Sequence, residues 1–139
     1  MKIYSPLSGL VVPLEKVPDQ AFAQKLVGDG ISVDPVDSVL KSPVEGIIEF
    51  IHPACHAVTI KTSNGAEVLI HIGIDTVQMK GEGFHSRVKK GQHVKAGETL
   101  IEFDLDFVAT QAKSLMTQIL ISNSEKFKFD FSERKSAFV

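Results

Sequence analysis

The sequence contains a single cysteine, Cys55, so no intrachain disulfide can form and an oxidising compartment is not indicated. It has almost no excess charge either, because 15 basic residues face 17 acidic ones, for a formal charge of −2. Such a balance provides no basic surface for nucleic acid or anionic lipid. Long hydrophobic runs are also missing: the longest, over residues 68–74, is interrupted by His71 and is too short to cross a bilayer.

The first residues lack the pattern of a secretory signal, since Pro6 and Gly9 stand where its apolar stretch would lie. We therefore expect a cytoplasmic protein with no stable membrane insertion. Its 139 residues, 43% of them apolar and 23% charged, have the size and composition of an ordinary globular domain. No linker, low-complexity tract or repeat divides them, and we expect one domain over residues 1–139.

Short β-rich runs separated by glycine, proline and asparagine turns dominate the sequence. They predict an all-β fold, an antiparallel β-sandwich of short strands with one or two short helical turns. The predicted strands include residues 10–12, 31–33, 47–51, 56–62, 66–72, 77–80, 92–95, 100–103 and 127–131. Helical turns are expected over 20–26, capped by Asp19, and over 107–113, capped by Asp106.

One predicted hairpin carries two histidines. The Asn-Gly pair at residues 64–65 lies between two β-rich runs, which favours a hairpin with a two-residue loop. In that register His56 faces Gly73, and His56 and His71 are diagonal neighbours on one face, with Cα atoms about 7–8 Å apart. A three-residue loop would shift the register by one residue and place the two histidines on opposite faces.

Two juxtaposed imidazoles suit two kinds of chemistry. A neutral ring nitrogen is a good nucleophile near pH 7, and a second ring can donate a hydrogen bond to developing charge. Two converging rings are equally half of a zinc site, to which His52 and Cys55 could add ligands. The residues alone leave both a nucleophilic and a metal-binding function open.

A longer pattern then becomes informative. Residues 70–77, IHIGIDTV, followed by KGEGF at 80–84, resemble the glucose-type enzyme IIA domain of the bacterial phosphoenolpyruvate sugar phosphotransferase system. Supporting motifs lie at 5–9 (SPLSG), 17–19 (VPD), 28–30 (GDG), 42–46 (SPVEG), 56–57 (HA), 91–98 (GQHVKAGE) and 101–104 (IEFD). The resemblance runs in unbroken order from about residue 3 to residue 123, and it implies a compact antiparallel β-sandwich.

The resemblance also implies a phosphotransferase component with a phosphohistidine intermediate. His71 matches the histidine that accepts a phosphoryl group from phospho-HPr and passes it to a cysteine of a IIB domain, which drives sugar uptake. His56 matches the supporting histidine that stabilises the phosphoryl group. No Walker A or G-x-G-x-x-G pattern is present, as expected of a protein that receives phosphoryl groups from another protein. The resemblance implies that no cofactor is required.

Two alternatives use the same pair of histidines. One is a zinc-binding protein with His56 and His71 as ligands. The other is a regulatory module whose phosphorylation state is read by other proteins. Family membership alone would not identify the sugar, because a IIA domain does not contact it.

The resemblance further implies a surface for the protein partners. In the family a hydrophobic contact surface surrounds the histidine pair, and its positions are matched here by Phe22, Leu26, Val27 and Leu69. Acidic positions suited to a basic partner are matched by Asp19 and Asp75. The sequence also departs from the family. Ala54 stands where a threonine usually provides a hydrogen bond in the site, and His52 and Cys55 replace residues that do not bind metals.

Overall fold

The computed structural model describes residues 3–127 and confirms the predicted antiparallel β-sandwich with short helical segments. Within these residues the strands are β1 (Gly9–Pro13), β2 (Asp29–Pro35), β3 (Val39–Lys41), β4 (Gly46–Ile51), β5 (Ala57–Lys61), β6 (Glu67–His71), β7 (Phe84–Ser86), β8 (His93–Val94), β9 (Thr99–Phe103) and β10 (Thr117–Ile121). The helices are α1 (Gln20–Ala23) and α2 (Leu105–Gln111), with 3₁₀ turns at Leu14–Lys16, Thr76–Met79 and Ser124–Lys126.

The strands form two sheets of unequal size. A seven-stranded sheet has the order β1–β2–β10–β6–β5–β4–β8, and a three-stranded sheet has the order β3–β9–β7. The main hydrophobic core contains residues of both sheets, such as Ile60 and Ile70 from the large one and Leu100 and Phe103 from the small one. None of the helices within residues 3–127 is long and apolar enough to span a membrane.

The two predicted helices are present, with corrected boundaries. Asp19 caps α1 as expected, since its carboxylate accepts a hydrogen bond from the Phe22 N–H at 3.2 Å. The helix ends after four residues, because Lys25 takes the left-handed conformation with φ 60°. At α2 the cap is Asp104 rather than Asp106; its carboxylate accepts from the Phe107 N–H at 3.1 Å, so the helix starts two residues earlier than predicted.

The strand predicted at 77–80 is wrong. This segment forms the 3₁₀ turn Thr76–Met79, between Asp75 and Lys80, which both have left-handed backbones with φ 60° and 55°. Such residues reverse the chain, so a short apolar run between them cannot extend. The strand predicted at 127–131 falls, apart from its first residue, outside the described part of the chain.

The loop of the histidine hairpin has three residues, and the predicted register is wrong by one residue. Ala57 pairs with His71, and the strands continue in register to the last pair of β5 and β6. Gly65, the third loop residue, has φ 90°, as in three-residue hairpin loops. Asn123 fixes this loop from outside the hairpin: its amide donates to the Gly65 carbonyl and its side-chain oxygen accepts from the Glu67 N–H, both at 2.9 Å.

Strand β10 has no counterpart among the predicted strands, although it lies near the middle of the large sheet. All five of its residues are buried, so it lacks the alternation of polar and apolar residues that reveals a half-exposed strand. Ile119 and Ile121 contribute to the main core. Leu120 points to a second cluster on the other face, with Leu14, Val17, Phe22 and Ile74. This second cluster holds α1 against the sheet.

The second cluster provides a test of the fold. Leu120 is fully buried there, and we expect Leu120→Ala to lower the free energy of unfolding by about 2–5 kcal/mol, through lost burial and a residual cavity. Leu10 is 65% exposed on β1, and Leu10→Ala should change the free energy of unfolding by no more than about 0.5 kcal/mol. Urea unfolding of both variants measures the difference, and equal effects would contradict the assignment of Leu120 to a packed cluster.

Candidate functional site

His71 is the last residue of β6, and its ring is oriented by the turn that follows. Its Nδ1–H donates a hydrogen bond to the Gly73 carbonyl oxygen at 2.9 Å. With the proton on Nδ1, the other nitrogen, Nε2, carries a lone pair. Burial lowers the pKa of His71, although the Gly73 carbonyl and the charge of Asp19 act in the opposite direction. The ring is therefore a neutral imidazole with a defined nucleophilic nitrogen.

The Gly73 turn can be formed only by glycine. Its φ of 73° is left-handed, and a Cβ at this position would lie 2.6 Å from Cγ2 of Thr76 and 2.9 Å from the Ser114 carbonyl oxygen. Because both contacts are too close, a larger residue would displace the turn. The carbonyl that orients His71 would move with it.

His56 meets His71 although the strand register assigns them to opposite faces. Their ring centroids are 5.0 Å apart, with the planes nearly perpendicular at 78°. His56 lies one residue before β5 and follows Cys55, whose φ is 64°, so the regular alternation of a strand does not fix its side chain. Ala57, opposite His71, has only a methyl group and leaves space for a ring. The predicted juxtaposition is present, but for a different reason.

The His56 ring is buried and neutral. The residue is only 2% exposed. Burial, followed by the neighbouring rings of His71 and His52, lowers its pKa from 6.5 to about 4. Its Nδ1 is buried without a hydrogen-bond partner among residues 3–127. Nε2 is thus the nitrogen available to a substrate group.

His52 brings a third imidazole to the site. His52 directly follows β4. Its backbone N–H donates to the Ala57 carbonyl at 2.9 Å, which continues the pairing of β4 with β5. Its ring centroid lies 4.3 Å from that of His56. The sequence had suggested His52 only as a metal ligand, because the resemblance offers no other function for a histidine there.

Aromatic rings complete the surroundings. The Phe22 ring from α1 lies 5.1 Å from the His71 ring, and the Phe84 ring from the main core lies 6.3 Å from the His56 ring. Both phenylalanines are buried. These apolar walls remove water from the two imidazoles, which is the main cause of their lowered pKa values.

This combination of fold and paired histidines can be compared with known proteins. The sequence pattern of one family, described as phosphoenolpyruvate-dependent sugar phosphotransferase system, EIIA 1, matches residues 1–127. The chain belongs to this family. The resemblance identified from the sequence motifs is thereby confirmed.

Individual EIIA relatives agree with this assignment. A glucose-specific EIIA component of Halalkalibacterium halodurans is 49% identical over 124 residues, covering 89% of this chain and 72% of that protein. An N-acetylglucosamine-specific EIICBA component of Klebsiella pneumoniae is 46% identical over 125 residues, covering 90% of this chain and 19% of that protein. The solved glucose permease IIA of Mycoplasma capricolum superposes with a TM-score of 0.89 at 35% identity, covering 92% of this chain and 83% of the other.

The EIIA positions suggested for partner contacts differ in their accessibility. Leu26 is 72% exposed, beside α1. Val27 and Leu69 are half-buried against the second cluster, whereas Phe22 is buried and forms a wall of the His71 site. Of these suggested positions, Leu26 and the outer parts of Val27 and Leu69 therefore form the exposed apolar surface.

The two acidic positions lie on different segments. Asp19, the cap of α1, is close enough to His71 to favour a positive charge on its ring. Asp75 is exposed, four residues after His71, at the start of a 3₁₀ turn. Nothing in the described contacts joins the Asp75 carboxylate to the histidine pair.

Gln118 is a neighbour of the site that sequence reasoning missed. It lies on β10 directly opposite His71 and is fully buried. Its amide nitrogen donates to the Met116 carbonyl at 2.7 Å, while its side-chain oxygen is buried without a partner among residues 3–127. Because β10 itself was not predicted, no sequence signal placed this residue beside His71.

Zinc binding is the alternative to phosphoryl transfer, and it depends on how the possible ligands are arranged. Across the described residues 3–127, no three His, Cys, Asp or Glu side chains are arranged to hold a metal ion. A closed zinc site built from His52, Cys55, His56 and His71 is therefore not formed by this EIIA chain. Zinc held by His56 and His71 alone stays a prediction.

The lowered pKa of His56 predicts how the protein responds to acid. Below about pH 6.5 the unfolded chain begins to bind a proton at this ring, whereas the folded protein does not until about pH 4. Since the unfolded state binds more protons in this window, the free energy of unfolding decreases as the pH falls from 6.5 towards 4. His71, whose pKa is also lowered, adds to the same trend.

Urea unfolding at a series of pH values measures this trend. We expect His56→Gln to show a shallower loss of stability than the wild type over the window between pH 6.5 and 4. The matched control is His85→Gln, at an exposed position of β7, which should keep the wild-type slope. Identical slopes for the wild type and His56→Gln would contradict a buried neutral His56.

Proposed function

We propose that this EIIA chain accepts a phosphoryl group from phospho-HPr on Nε2 of His71 and passes it to a cysteine of a IIB domain. The observation that carries the proposal is the hydrogen bond from His71 Nδ1–H to the Gly73 carbonyl, in a pocket where the ring is neutral. That bond directs the lone pair of Nε2 away from the turn. A neutral, oriented imidazole nitrogen is the group required for in-line attack on phosphorus.

The chemical step can be written from these residues. As the Nε2 lone pair attacks, a nitrogen–phosphorus bond forms at His71 and the bond between phosphorus and HPr breaks. The His71 ring gains positive charge, which the Gly73 carbonyl and the nearby charge of Asp19 stabilise. The Nε2–H of His56 can donate a hydrogen bond to a phosphoryl oxygen. In the second step the sulfur of the acceptor cysteine attacks phosphorus, a sulfur–phosphorus bond forms, and the bond between phosphorus and Nε2 of His71 breaks, which returns the lone pair to that nitrogen.

The family, the sequence and the name of one relative support these two partners. A phosphotransferase-system component without a nucleotide-binding pattern receives its phosphoryl group from a protein, which supports HPr as donor. The printed name of the Klebsiella relative, EIICBA, joins an A component to B and C components, which supports IIB as acceptor. We place this exchange in the cytoplasm, as the sequence led us to expect.

Docking uses the apolar surface formed by Leu26, Val27 and Leu69. Leu26 is the most exposed of the three at 72%, next to the helix that supplies Phe22. Asp19 and Asp75 add negative charge suited to a basic partner. Apolar contact then gives affinity, while the carboxylates orient the partner.

Phosphoryl transfer from phosphoenolpyruvate through enzyme I and HPr tests the proposal. Labelled phosphate should appear on the wild type and be absent from His71→Ala, which lacks the nucleophile. For His56→Ala we expect label to be accepted but to leave for a IIB domain about a hundredfold more slowly, since one hydrogen-bond donor to the phosphoryl group is lost.

His85→Ala, which removes an exposed histidine of β7, serves as the control and should transfer label as the wild type does. The proposal fails if the wild type takes no label under conditions that charge a known EIIA, or if His71→Ala is labelled as fully as the wild type. Acid-labile, alkali-stable label would identify the phosphohistidine.

The docking surface gives a separate prediction. A charge at Leu26 should weaken the complex with phospho-HPr, and we expect Leu26→Asp to raise KM for phospho-HPr roughly tenfold with little change in kcat. Ile47→Asp is the matched control, because Ile47 is exposed at the opposite end of β4 from His52. Equal KM values for the two variants would remove Leu26 from the interface.

A further inference from the structure

The buried nitrogen of His56 has a consequence for its protonation. A neutral imidazole carries one N–H and one bare nitrogen, and buried N–H groups without an acceptor are rarer in proteins than unpaired acceptors. Nδ1 of His56 is buried and has no partner within residues 3–127. The proton therefore belongs on Nε2, the nitrogen that is not enclosed in this way.

The turn that leads into His56 supplies no donor for this nitrogen. Ala54, two residues before His56, has a methyl side chain and no side-chain proton to donate. The backbone N–H of Ala54 is already used, since it donates to Nδ1 of His52 at 3.0 Å. Of the aromatic rings around His56, that of His52 is the nearest, with a centroid separation of 4.3 Å and a tilt of 49°.

The His52 ring is itself held firmly. Its Nδ1 accepts the hydrogen bond from Ala54, so in the neutral ring its proton is on Nε2. The Cys55 N–H donates to the His52 carbonyl at 2.7 Å, which closes the turn between the two histidines. Phe50 contacts the His52 ring edge-on, with centroids 6.4 Å apart and an angle of 87°.

We propose that His52 is a positioning residue for His56: its ring covers Nδ1 of His56, keeps water away from that nitrogen, and so retains the proton on Nε2. The inference rests on the proposed function, in which Nε2–H of His56 donates to the phosphoryl group. The two histidines of the site are thus oriented by different means. A carbonyl hydrogen bond selects the tautomer of His71, and an aromatic cover selects that of His56.

Loss of the cover has a specific effect. Water that reaches Nδ1 can donate to it or accept from it, so the tautomer with the proton on Nδ1 becomes accessible. That tautomer presents a lone pair, rather than an N–H, to the oxygens of the phosphoryl group. Transfer then slows although His56 and His71 are both intact.

Two substitutions separate the ring from its hydrogen bond. His52→Phe keeps an aromatic ring over His56 but cannot accept from the Ala54 N–H. His52→Asn keeps an acceptor for that N–H but removes the ring. The imidazole nitrogen-15 spectrum of the unphosphorylated protein reports the tautomer of His56 directly, and transfer of label to a IIB domain reports the consequence.

We expect a single Nε2–H tautomer of His56 in the wild type and in His52→Phe, with transfer rates within about twofold of each other. His52→Asn should show the Nδ1–H tautomer in exchange and transfer about tenfold more slowly, as is typical when a group that orients a functional histidine is lost. His85→Asn is the control for removal of a histidine and should match the wild type in both measurements. Amide spectra confirm that each variant is folded, and His52→Ser replaces His52→Asn if the latter is not.

Three results would overturn the inference: a wild-type His56 with its proton on Nδ1, a ring-free variant that retains the single Nε2–H tautomer, or a His52→Phe variant that behaves like His52→Asn. The spectra require no phosphoryl transfer. If the wild type takes no label but the variants show the expected tautomers, the proposed function fails and the positioning by His52 stands. If labelling is normal but His52→Asn keeps the single Nε2–H tautomer of His56, the positioning by His52 fails and the proposed function stands.

Discussion

The site depends first on the hydrogen bond between His71 Nδ1–H and the Gly73 carbonyl. Without it, a neutral imidazole in an apolar pocket would choose between two tautomers, and only one of them has a free Nε2. The bond requires a left-handed residue two positions after the histidine, and the close approach of Thr76 and Ser114 restricts that residue to glycine. The short I-H-I-G pattern thus encodes the proposed nucleophile together with its orientation.

Burial serves both the fold and the chemistry. The second hydrophobic cluster packs Leu120 of the large sheet against Phe22 of α1, and Phe22 in turn contacts the ring of His71. The same contacts that stabilise α1 therefore remove water from the imidazole and lower its pKa. A loosened cluster would reduce stability and return the ring towards its ordinary titration.

Features set by local sequence could be predicted, and those set by distant contacts could not. The Asp19 cap, the glycine turns and the pairing of the histidine strands depend on neighbouring residues. The loop length depends on Asn123, which binds the hairpin from 58 residues beyond Gly65, so the register was wrong by one. Strand β10 is buried on both faces and gave no alternation, which hid Gln118 beside His71. The motifs point to both histidines whatever the register, and the irregular backbone before His56 lets the two rings meet although the predicted register is wrong.

That irregular backbone is itself informative. Left-handed non-glycine residues occur at Cys55, immediately before His56, and at Asp75, two residues after Gly73. Each costs on the order of 1 kcal/mol or more and persists only where the surrounding structure enforces it. Cys55 lies just ahead of β5, so the side chain of His56 is not bound to the alternation of that strand. Asp75 starts the 3₁₀ turn Thr76–Met79, whose Thr76 hydroxyl donates to the Ile72 carbonyl, and this turn packs against Gly73. The strain thus lies in the two turns that flank the histidine pair, which is where the proposed phosphoryl transfer needs a fixed geometry.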